Sequence, residues 1–194
     1  MGFTGRNTAA AYFLSIPMEA KMNKTTYKIV SAAIVGALYA VLTMVLAPIS
    51  YGPVQCRISE VMCILPFFMP HTTWGLFFGC AIANVASSAG LPDIVFGSLA
   101  TLCACACISW CGKKNKKVLA CLMPVVWNAV IVGAMLTKVI AGLDPIQNFG
   151  AFALFAGEVG LGEAAVMFIA GLPLLSWLPK QKFFADYLDK FGGR

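Results

Sequence analysis

The stretch Tyr51-Gly-Pro-Val-Gln-Cys-Arg-Ile-Ser-Glu-Val-Met-Cys-Ile-Leu-Pro-Phe-Phe68 joins a turn-forming loop to an apolar run. Pro48, Gly52 and Pro53 punctuate the loop, as Gly and Pro do wherever a chain must turn. Gln55, Arg57, Ser59 and Glu60 then lead straight into hydrophobic sequence that ends at Pro66 and Pro70. In a water-soluble chain Ser59 and Glu60 would be ordinary first-turn residues of a helix. Here both flanks are membrane-like, and polar groups at membrane depth are costly and usually functional. The competing explanation is local: Arg57 and Glu60 are three apart and would meet on one helix face. The two explanations are compatible.

Working outward, composition fixes the class. The 194-residue chain is 60% hydrophobic and 11% charged, against roughly 25% charged residues in soluble domains. Its net charge of +6 does not point to nucleic acid. The basic residues gather at Arg6 to Lys28, at Lys113 to Lys117, and at Lys180 to Arg194, with only Arg57 and Lys138 elsewhere. That placement is a topology signal rather than a phosphate-binding stripe. Cys103, Cys105 and Cys107 are two apart and would point away from one another on a helix, which excludes one shared metal. The cysteines read as free thiols packed like small apolar residues, with no disulfide framework.

Six apolar spans follow from the periodicity and the breaks. They cover about 29–47, 57–69, 74–88, 93–111, 118–141 and 151–178. The last exceeds the roughly 20 residues a crossing needs, so it is expected to be tilted, interrupted, or begun in the interface. Residues 1–21 are expected to form an extension outside the fold, leaving a single six-helix membrane domain over 22–194. Phe183, Phe184, Tyr187 and Leu188 in the polar tail suggest a short interfacial helix. His71 is expected to be a turn residue. An even number of spans puts the termini on one side, together with the lysine clusters, and the positive-inside rule makes that side the cytoplasm. The expected fold is therefore an all-α integral membrane bundle with cytoplasmic termini.

That topology gathers polar residues in the outer half. Gln55, Arg57, Glu60, Asn84, Asp93 and Glu158 fall near outer ends of spans, and Asn128 and Glu163 lie deeper. With Tyr51 and Trp127 as stacking surfaces, they describe an outward-facing cup for a small planar solute with several hydrogen-bond donors. A carboxylate accepts two parallel N–H bonds, and Asn or Gln matches a mixed edge. Glu158 and Glu163 are five apart and diverge by about 140° on a regular helix, so one of them is expected to face the cup. On span one, Ala33, Gly36, Ala37 and Ala40 form a small-residue stripe on which another helix can pack closely. No phosphate-binding loop, zinc-protease helix or serine-histidine-aspartate set is present, which argues against an enzyme, and no cofactor is indicated.

The segment Ala47-Pro-Ile-Ser-Tyr-Gly-Pro-Val-Gln-Cys-Arg-Ile-Ser-Glu60 resembles the signature of the queuosine-precursor transporter (QueT) family. The similarity continues through Leu65 to Phe68, Gly79 to Asn84, Asp93 to Ala100, Trp127-Asn128-Ala129 and Gly162-Glu163. Cys56 and Cys63 depart from it: Phe is common at the first position and a small or apolar residue at the second. The resemblance implies a substrate-binding S component of an energy-coupling-factor (ECF) transporter. Such a protein has six helices and binds a deazaguanine base on the outer side, with the membrane lipid around it. It docks through its first helix, here Ala33, Gly36, Ala37 and Ala40, onto a scaffold T component driven by two cytoplasmic ATPases. Two other classes fit the residues alone. A stand-alone secondary transporter would line both sides of the midplane with polar groups. A non-transport scaffold protein would pair Glu60, Glu158 and Glu163 internally.

Overall fold

The computed structural model describes residues 23–50 and 57–191. The described residues form helices joined by short turns, with no strand among them. Helix α1 spans Lys24–Val45 and is followed by a single turn, Ala47–Ser50. Helix α2, Ile58–Phe67, is wound as a 3₁₀ helix. Then come α3 (Thr72–Ala86), α4 (Asp93–Lys113), α5 (Lys117–Val139) and α6 (Phe149–Lys180), and the amphipathic α7, Lys182–Phe191. Four of them, α1, α4, α5 and α6, are long and apolar enough to cross a membrane, while α2 and α3 are shorter apolar helices. At roughly 2 Å per residue a ten-residue 3₁₀ helix is about 20 Å long, short of the ~30 Å hydrocarbon layer.

The short helix is the hub. α2 touches α1, α3, α4, α5 and α6, and Ser59, Glu60, Cys63, Ile64, Pro66 and Phe67 are buried along it. Around it α1 lies along α3, α4 packs between α3 and α5, and α6 packs on α5. The α1–α3 contact is a backbone contact. A Cβ on Gly75 would come 1.9 Å from the Ala32 carbonyl oxygen, and one on Gly79 would come 2.3 Å from that of Gly36. In a bilayer, where apolar surface gives no net drive to associate, such close packing is what holds helices together.

The expected small-residue stripe is divided by this contact. Gly36 and Ala40 are buried against the chain's own helices, whereas Ala33 and Ala37 remain exposed. The sixth span is one helix of 32 residues, about 48 Å at 1.5 Å per residue. It is interrupted by a π-helical turn at Met167–Gly171. Similar π turns open α4 at Asp93–Gly97 and break α5 at Asn128–Val132. The tail helix docks on the bundle, with the Phe184 ring edge-on to Phe68 at 5.4 Å between centroids. The described cysteines are free thiols; Cys63, Cys80, Cys105, Cys111 and Cys121 are buried, and Cys103 and Cys107 are half-buried.

Two apolar clusters make up the core. The larger joins α1, α2, α3 and α4 to the lysine-side ends of α5 and α6, through Tyr39, Ile64, Leu76, Ile108, Cys121 and Met167. The smaller joins α4, α5 and α6 through Ala100, Val132, Leu136 and Val159. Buried polar side chains stand beside the larger cluster on each of α1 to α6: Thr43, Glu60, Asn84, Thr101, Asn128 and Glu163.

Candidate functional site

The polar level contains three hydrogen-bonded groups. In the first, the Arg57 guanidinium donates to both Asp93 oxygens, at 3.1 and 3.3 Å, with both side chains almost fully buried. Asn84 Nδ2 donates to the Asp93 carbonyl at 2.9 Å. Cys80 Sγ lies 3.5 Å from Asn84 Nδ2 and 3.3 Å from the Thr101 hydroxyl. Gly97 makes room for all of this: a Cβ there would stand 2.6 Å from Asn84 Nδ2 and 2.7 Å from Asp93 Oδ1. The local Arg57–Glu60 pairing that the spacing suggests does not form. The segment is a 3₁₀ helix, and Arg57 sits ahead of it with extended backbone, so its side chain reaches α4 instead.

The second group is centred on Glu60. The Tyr39 hydroxyl donates to Oε1 at 2.5 Å and the Cys63 thiol to Oε2 at 2.9 Å. One turn back, Thr43 and Ser59 share a hydroxyl–hydroxyl bond of 2.6 Å. These contacts pin α2 to α1.

The third group joins α5 to α6. Asn128 Nδ2 donates to Glu163 Oε1 at 3.0 Å, and both residues are 2% exposed. An ionised carboxylate only accepts, so this bond turns the amide and directs the Asn128 carbonyl oxygen away from Glu163. That oxygen is buried and has no hydrogen-bond partner among the described residues. Asn128 opens the π turn of α5, and Glu163 stands one turn before the π turn of α6. Such bulges are frequent at functional sites, because they free or re-aim backbone and side-chain groups.

The other sequence candidates are distributed as follows. Glu158 is half-buried on α6 while Glu163 is enclosed, as the angle between them demands. Trp127 is half-buried next to Asn128. Tyr51 and Gln55 lie outside the described residues. The π turns of α4 and α5 touch, and α2 reaches α6, which brings the Arg57–Asp93 and Asn128–Glu163 groups to neighbouring positions. Sequence reasoning passed over Tyr39, Cys80 and Thr101. Tyr39 was open to discovery, because it shares the inward face of α1 with Gly36, Ala40 and Thr43. A groove of about 540 Å³ lies elsewhere, on the outside of α1 and α3, and none of the polar candidates lines it.

A bundle of long apolar helices with charged and amide side chains gathered at one internal level is the arrangement of a multi-pass integral membrane protein that handles a polar solute. The model of the QueT transporter family matches residues 29–180, and the chain belongs to that family, one of transporters and not of enzymes. It is similar to the queuosine precursor transporter QueT of Lactococcus lactis subsp. cremoris (strain MG1363), 44% identical over 79 residues. The match covers 40% of this chain and 46% of that protein, so the chain aligns with somewhat less than half of its relative. No solved structure matches the chain.

Proposed function

We propose that this chain is the substrate-binding S component of an ECF-type importer for queuosine precursors, capturing a deazaguanine base at the polar level of the bundle. The relative is named for queuosine precursors, and the family similarity extends across the bundle. In this reading all six apolar helices lie in the membrane, and the lysine-rich ends and both termini face the cytoplasm.

The observation that carries the reading is the buried Asn128–Glu163 pair, held at 3.0 Å. A guanine-like edge places a ring N–H beside an exocyclic amino group. A carboxylate accepts both in parallel, and the buried Asn128 carbonyl oxygen would add a further acceptor. Trp127 is next in line to stack on the ring. Gln55 and Tyr51, which precede α2 in the sequence, would supply further contacts to the base, while Arg57, Asp93 and Asn84 hold the start of α2 against α4. Ala33 and Ala37, exposed on α1, would receive the scaffold T component that couples the chain to two ATPases.

Calorimetric titration of the purified chain with a 7-deazaguanine base tests this. Glu163→Gln replaces two acceptors with one acceptor and an opposed donor, and should weaken binding by roughly 2–4 kcal/mol. A folded Glu163→Gln protein with wild-type affinity would overturn the assignment. Ala37→Leu should leave affinity intact and abolish uptake in the assembled transporter; equal loss of both would mean that Ala37 is a packing residue.

A further inference from the structure

The ~540 Å³ groove on the outside of α1 and α3 is almost wholly apolar. Its floor is the glycine contact, Gly36 against Gly75 and Gly79, where no side chain fills the space between the helices. Its walls are Ile29, Trp74, Phe78 and Ile82, each more than half exposed. An apolar cavity of ~150 Å³ inside a protein can stay dry and take up benzene. A groove several times larger, facing a bilayer, suits hydrocarbon.

One end of the groove is charged. Lys28, Thr25 and His71 line it, and Lys24 stands one helical turn from Lys28 on the same side. Neither lysine forms an ion pair with a described residue. Among the described residues no acidic side chain lines the groove. His71 is engaged with the Ser31 hydroxyl at 3.0 Å, so the cation offered at the mouth is Lys28. An apolar trough and an ammonium with no acidic partner among the described residues together have the polarity of one molecule class.

We propose that this groove binds an anionic phospholipid of the bilayer, with one acyl chain lying along Gly36, Gly75 and Gly79 and its headgroup phosphate paired with Lys28. The exposed Ala33 and Ala37 form part of the same groove, so the lipid covers the surface offered to the scaffold until a partner displaces it. The inference depends on the membrane setting of the chain and not on the base it carries. Loss of base binding in Glu163→Gln with lipid preference intact would separate the two.

Native mass spectrometry of the full chain, titrated with phosphatidylglycerol or phosphatidylcholine of identical acyl chains, reads the site directly. Phosphatidylglycerol should bind more tightly, by about fivefold for each lysine engaged. Lys28→Glu should bring it to the affinity of phosphatidylcholine. Ala33→Phe, at an exposed position, fills the trough and should remove both adducts while thermal unfolding in detergent stays unchanged. Inorganic phosphate should not compete. Equal affinity for the two lipids in the wild type, or adducts that persist in Ala33→Phe, would overturn the proposal. A dimer without lipid adducts would overturn it too, since a second copy would then fill the groove.

Discussion

Arg57 and Asp93 are 36 residues apart in sequence and form the ion pair found among the described residues, at 3.1 Å and almost wholly shielded. The pair ties the start of α2 to the first turn of α4. A buried ion pair contributes little net stability, because the desolvation of both charges offsets their attraction. Removing one partner is different, since it leaves a charge with its principal partner gone.

Asp93→Ala should therefore lower the unfolding free energy by about 3–5 kcal/mol. The double replacement Arg57→Met with Asp93→Leu should be less destabilised than Asp93→Ala alone, because no charge remains to be buried. Thermal unfolding in detergent gives the ordering. If the double variant unfolds below the single one, the interaction is a net stabiliser and the desolvation argument is wrong here.

The four long apolar spans, their lysine-marked ends and the buried charged and amide residues were legible, because bilayer length and charge cost act on each segment separately. Partners were not. The helix-face rule couples residues three or four apart, and it pointed Arg57 at Glu60, but α2 is a 3₁₀ helix with Arg57 outside it. The small-residue stripe was legible as a close-packing face. Its division into an inward pair, Gly36 and Ala40, and an outward pair, Ala33 and Ala37, depends on where α3 lies, which α1 alone does not encode. Glu158 and Glu163 were separable by angle, since a regular helix cannot turn both into one core.

His71 gives the α1–α3 contact a pH dependence. Burial is the first cause lowering its pKa from the usual 6.5, and the charge of Lys28 lowers it further. The imidazole is held neutral against the Ser31 hydroxyl. With the folded pKa below the unfolded one, the unfolded chain binds more protons as pH falls below about 6.5, so stability is lost with acidification. The unfolding temperature should drop between pH 7.5 and 5.5, and drop less in His71→Gln. An equal drop in both proteins would assign the effect to other groups.

Glu60 and Glu163 are both buried carboxyl groups with different surroundings, and the proposed function gives them different work. Both Glu60 oxygens are occupied from within the bundle, by the Tyr39 hydroxyl at 2.5 Å and the Cys63 thiol at 2.9 Å. A base reaching that carboxylate would have to share both oxygens with donors already in place. Glu163 accepts from Asn128 through Oε1, and the Asn128 carbonyl oxygen is turned away from it. Tyr39→Phe removes a donor from a carboxylate, a bond of about 1.5–3 kcal/mol, and should lower the unfolding temperature while base affinity stays within twofold of wild type, about 0.4 kcal/mol. Glu163→Gln should do the reverse, losing affinity with a smaller change in stability. Calorimetry and thermal unfolding on the same preparations decide the matter. A Tyr39→Phe protein that unfolds normally but binds the base more than tenfold more weakly would place Glu60 against the solute, and α1 would then be a wall of the binding site.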